Sequence, residues 1–99
     1  PWSKVMLSGV LTRTLRDEPV FSDDTLKEAL LRNPIASKLT ITQPPRWVRQ
    51  PETIDSFKSS VSFAFEDPDG SHLKSLLRST LFMFGAPVSA KRWVDKLRL

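Results

Sequence analysis

Apolar and polar positions alternate most regularly between Ser60 and Phe65. There SVSFAF places Val61, Phe63 and Phe65 on one side and Ser60, Ser62 and Ala64 on the other, the period-two signature of a strand with one buried face. A shorter strand is predicted over Lys4–Val10 (KVMLSGV), with Val5, Leu7 and Val10 apolar. Another covers Lys38–Gln43 (KLTITQ), where Leu39 and Ile41 share a face. Pro44 and Pro45 are expected to end it, because neither can donate to a ladder. After Ser22 the period becomes helical, with Leu26, Ala29 and Leu30 on one face and Asn33-Pro34 as the stop. The Ser22 hydroxyl can accept from the free N–H groups of the first turn, and Asp23 and Asp24 favour its positive dipole end. A second helix is expected from Asp67 as N-cap and Pro68 as first helical residue, carrying Leu73, Leu76 and Leu77. Thr12–Phe21 with Pro19, and the proline-interrupted stretch Arg46–Phe57, read as loops. Leu81–Phe84 is an apolar run closed by Gly85, and Pro87–Val94 is the last predicted strand.

These elements run β-α-β-β-α-β through one domain covering residues 1–99, with no internal repeat. The order is that of ferredoxin-like, RRM-like α+β folds, a four-stranded antiparallel sheet with two helices on one face. The chain opens on Pro1 rather than Met, which reads as a piece of a longer protein.

Composition narrows the chemistry. Of the 99 residues, 39% are hydrophobic and 26% charged, the balance of a folded soluble domain rather than a disordered one. No apolar run nears the ~18 residues that span a bilayer, and no signal-peptide pattern opens the chain. The expectation is an intracellular protein, cytoplasmic or nuclear, neither secreted nor attached to a membrane. With no cysteine, disulfides, thiolate zinc sites and cysteine nucleophiles are excluded. One histidine, His72, no tyrosine and three scattered glycines leave no acid/base set and no phosphate loop. Glu66, Asp67 and Asp69 lack the later ligands of a calcium loop, and helix capping accounts for Asp67. No catalysis, no metal and no cofactor are expected.

The net charge is +4, from fifteen bases and eleven acids, and it is unevenly spread. Asp17–Glu28 holds five acids and one base, Lys27, so that elsewhere fourteen bases face six acids. A basic surface with an acidic far side suits a polyanion, since phosphate contacts supply most sequence-independent affinity. Solubility alone accounts for such a surplus equally well. The acidic window is a solvated face or a docking surface for a basic partner.

Two segments resemble RNA-recognition-motif domains: VSFAFEDPDGSHLKSLL at the third strand and second helix, and VMLSGV at the first-strand motif. A narrower resemblance lies in TQPPRWVRQPE, SSVSFAF and LFMFGAPVSAKRW, which is similar to the RRM-like segment of gag-like first-open-reading-frame proteins of fungal LINE-type retrotransposons. That resemblance implies a role in packaging element RNA, with CCHC zinc knuckles further along the longer protein. The chain also departs from the RRM pattern. In KSSVSFAF, Ser60 and Ser62 stand where the stacking aromatics belong, and Met6 takes the aromatic position of the first strand. Stacking is worth ~1–3 kcal/mol per base, so the usual sheet surface is expected to be a weak base reader.

The residues left to carry binding are basic ones flanked by tryptophan. If Val88 and Ala90 face the core, Ser89, Lys91 and Trp93 share the open face of the last strand, beside Arg92. Arg46, Trp47 and Arg49 form a second basic-aromatic group. Expected phosphate ligands are Lys58, Lys91, Arg92, Arg46 and Arg49, with Trp93 or Trp47 stacking. Either tryptophan can instead serve packing: Trp47 folded over the sheet, or Trp93 against the core edge or the Leu97 tail. The partner is RNA or another single-stranded nucleic acid, bound weakly and with strong salt dependence. The alternative is an interaction module on an RRM-like scaffold, associating with a protein partner or a second copy through Leu81–Phe84 or a helix face.

Overall fold

Val10 is out of phase with Val5 and Leu7, and the backbone supplies the reason. In the computed structural model, which describes residues 1–94, the first strand, β1, runs Trp2–Leu11 and carries a β-bulge between Leu7 and Val10. Gly9 sits in the bulge at φ +79°, a conformation open to glycine without penalty. The extra residue returns Val10 to the inner face, and Val5, Leu7 and Val10 are all fully buried. β1 pairs antiparallel with β3 (Lys58–Glu66) on one side and β5 (Ala86–Arg92) on the other. β2 (Ile41–Trp47) and β4 (Leu81–Met83) form the edges, giving a five-stranded antiparallel sheet in the order β2-β3-β1-β5-β4.

The fold is α+β, as expected, but the sheet has five strands rather than four. The fifth comes from the apolar run at Leu81. Met83 pairs with Ala86 across a two-residue loop in which Phe84 (φ +55°) and Gly85 (φ +79°) are both left-handed, the requirement of a tight hairpin turn. A phenylalanine there is strained, and its ring is anchored by stacking on Phe21 with centroids 4.3 Å apart. Leu81 and Met83 go into the core and only Phe82 of that strand faces out, which takes most of the apolar run away from any self-association surface.

β2 also differs from expectation: the strand continues through Pro44 and Pro45 instead of stopping. Gln43 pairs with Ala64 and Arg46 with Ser62, so the prolines occupy an irregularity in an edge strand, where missing donors do not break the ladder. Arg46 and Trp47 therefore lie on a strand, not in a loop.

Helix α1 (Asp23–Leu31) begins at Ser22, whose hydroxyl accepts from the Thr25 N–H at 3.2 Å. It buries Leu26, Ala29 and Leu30, and a short helix, α2 (Pro34–Ser37), adds Ala36. Helix α3 (Ser71–Arg78) buries Leu73 and Leu76. All of these join Val61, Phe63 and Phe65 in one core on one side of the sheet. Each fully buried side chain of this size contributes about 1.5–3 kcal/mol. α3 starts later than predicted. Asp67 is not the residue before the helix but caps it from a distance: its carboxylate accepts from the His72 and Leu73 N–H groups, both at 3.1 Å, and from the Ser3 hydroxyl at 2.8 Å. Burial alone would raise its pKa, yet these hydrogen bonds together hold it below the ordinary carboxylate value.

Candidate nucleic-acid interface

Since Val5, Leu7, Val61 and Phe63 face the helices, alternation sends their neighbours to the open side of the sheet. The register orders those neighbours into rows. Arg46 pairs with Ser62, Ser62 with Met6 and Met6 with Lys91, one row across four strands. The next row is Gln43, Ala64, Lys4 and Trp93, whose last step is the Trp93 N–H donating to the Lys4 carbonyl at 3.1 Å. Lys4 Nζ stands 4.2 Å from the centre of the Trp93 ring, a cation–π contact. Lys58 stands at the start of β3 with the parity of Ser60 and Ser62. Arg46 and Lys91 are three strand spacings apart, roughly 14 Å.

The centre of this face is low. Ser62 and Ala64 are only 6% and 1% exposed, because both are short and lie in rows between longer side chains. The surrounding side chains give Lys4, Arg46, Lys58 and Lys91 against a single acid on these strands, Glu66. A trough with basic flanks can hold a chain of phosphates, and its centre offers little flat surface for stacking bases; the exposed Trp2 stands at its end, in the row with Glu66.

The predicted site residues divide. Lys58, Lys91, Trp93 and Arg46 share the open face, and Arg49 is exposed in the bend just after β2. Arg92 does not join them. It alternates with Lys91 and pairs with Val5, which turns it to the helix side of β5. Trp47 is a correction as well. Its side chain is 6% exposed within the core and its Nε1 donates to the Phe21 carbonyl at 2.8 Å, so no ring face is left for a base. The proposed packing of Trp93 on a Leu97 tail lies outside the described residues. Lys4 was missed, although the signal was present: with Val5 and Leu7 inward, the same alternation that exposes Met6 exposes Lys4.

The acidic window lies in the segment before α1 and in α1 itself; α1 packs on β2, and Asp23 lines a cleft with Arg46 at that edge. Asp69 accepts from the hydroxyl and N–H of Ser71, which lower its pKa, so the acids around Asp67 are engaged in shaping the α3 start. Among the described residues no group of acidic or histidine side chains is arranged to hold a metal ion, and no helix is long and apolar enough to cross a membrane.

No protein-family model, no curated protein and no solved structure matches this chain.

Proposed function

We propose that this chain is a non-catalytic, ferredoxin-like domain of RRM type that binds single-stranded nucleic acid, RNA foremost, through the open face of its sheet. The strand order β2-β3-β1-β5, with β4 added at the edge, supports that scaffold. The observation that carries the binding role is the row Arg46–Ser62–Met6–Lys91 beside the row ending in the Lys4–Trp93 pair. Lys4, Arg46, Lys58 and Lys91 neutralise phosphates and release counterions, Arg49 extends the track past the β2 edge, and aromatic surface comes from Trp93 and from the exposed Trp2, which shares the Lys4 face of β1. Sequence preference from this face is low because Ser62 and Ala64 stand at its centre. The resemblance to gag-like retrotransposon proteins gives the biological setting in this reading: packaging of element RNA, with further modules adding avidity.

Anisotropy of a labelled oligouridine, titrated at ~50 and ~200 mM salt, tests the proposal. Five phosphate contacts on a single strand give a slope near −3.5, hence about 130-fold weaker binding at the higher salt. Absence of binding at low salt would sink it.

A further inference from the structure

At the β2 edge of this face, a cleft of 220 Å³ opens between the start of α1 and the strand, lined by Asp23, Thr42, Gln43, Pro44 and Arg46. It is smaller than sites for drug-sized ligands, which run ~300–1,000 Å³, and suits a single planar ring system. None of its four polar side chains donates or accepts a hydrogen bond within the described fold, and the Thr42 hydroxyl is buried without a partner. The cleft lined by Arg13, Arg16, Asp55, Ser56 and Phe57 also holds a buried atom without a partner, Arg13 Nε, but its polar groups are otherwise more engaged. There Arg13 is committed to the Glu18 and Ile54 carbonyls and the Ser56 hydroxyl to the Lys58 carbonyl.

Asp23 is the informative member. A carboxylate beside a phosphate track opposes binding unless it accepts from the ligand. Among the four bases only guanine carries two adjacent donors on its Watson–Crick edge, N1–H and the 2-amino group, matched to the two oxygens of one carboxylate. Adenine and cytosine would set a ring-nitrogen lone pair against the carboxylate, and uracil has one donor between two carbonyls. The amide of Gln43 and the guanidinium of Arg46 can donate to guanine O6, and the Pro44 ring offers an apolar wall.

We propose that this cleft is a guanine pocket: an unpaired guanine swings off the strand crossing the sheet and is held through its Watson–Crick edge by Asp23. The proposal rests on the sheet-face reading above and adds base selectivity to it. Oligouridines carrying one central guanosine, inosine or adenosine separate the two. The guanosine oligomer should bind about tenfold tighter than the adenosine one, with inosine, which lacks the 2-amino donor, in between. Asp23→Asn should abolish the difference while leaving oligouridine affinity undiminished. Asp24→Asn, which perturbs the same helix start without lining the cleft, should keep it. Measurable but equal binding of the guanosine and adenosine oligomers overturns the guanine pocket and leaves the phosphate face standing. Failure of every oligomer to bind at low salt overturns both.

Discussion

Lys4 and Trp93 are joined twice: the indole ring lies under the lysine ammonium at 4.2 Å, and the Trp93 N–H donates to the Lys4 carbonyl at 3.1 Å. The pair ties the end of β5 to β1 and puts a cation and an aromatic ring together on the open sheet face. Lys4→Glu removes one phosphate ligand and the cation over the ring, so single-strand affinity should fall and the salt slope should flatten by about 0.7. Trp93→Ala should cost about 1–3 kcal/mol of binding, roughly 5- to 150-fold, with little change in slope. Anisotropy over a salt series measures both quantities.

Neighbours on β5 should behave as opposites. Lys91 is on the open face in the Arg46 row, whereas Arg92 is turned to the helix side opposite Val5. Lys91→Glu should weaken oligonucleotide binding at least tenfold at low salt, by loss of a phosphate contact and by repulsion. Arg92→Glu should leave affinity within about threefold, through long-range charge alone. Parallel titrations of the two variants check this, and equal losses would contradict the face assignment.

Trp47 should matter for folding rather than for binding. Its ring is buried and its Nε1 holds the Phe21 carbonyl, joining β2 to the segment before α1. Trp47→Ala should destabilise the domain by about 3–5 kcal/mol. Trp47→Phe keeps most of the packing but strands that carbonyl, at a cost of about 1–3 kcal/mol. Urea unfolding measures both, and the phenylalanine variant should bind oligouridine like the parent.

Acid should loosen the attachment of α3. The Asp67 pKa in the folded chain is below its ordinary 3.8, so folding favours the ionised form. Its stabilisation is fully present above the unfolded value and is lost as pH falls through the folded one. Thermal unfolding between neutral pH and about pH 2 should show stability dropping below about pH 4. Asp67→Asn should flatten that drop because the amide does not titrate, and it should start from a lower stability, since one amide oxygen replaces the two that accept from the His72 and Leu73 N–H groups. Asp67→Ala should cost about 1–2 kcal/mol at neutral pH.

The parts of this fold that local rules control were legible in the residues. Ser22 caps α1, and β3 turns Val61, Phe63 and Phe65 inward, because a cap and a period-two alternation are decided within a few residues. The errors fell where a distant partner decides. Pro44 and Pro45 stop a central strand but are tolerated in β2, and edge position is a property of the whole sheet. Phe84 gave no turn signal, since a bulky residue at positive φ is held there by its stack on Phe21, far away in sequence. The candidate site was half legible for the same reason. Alternation along the last strand places Lys91 and Trp93 on one face, whereas the separation of Trp47 from Arg46 depends on β2 continuing past Pro44 and Pro45.

The central claim is that nucleic acid lies on the open face of the sheet. Amide chemical-shift mapping of the labelled chain, titrated with oligouridine at low salt, tests it most directly. The account predicts shifts concentrated at Lys4, Met6, Arg46, Ser62, Lys91 and Trp93, including the Trp93 indole N–H, with α1 and α3 largely unmoved. Shifts confined to the helices, or to Leu81–Phe84, would contradict it and point to a different surface.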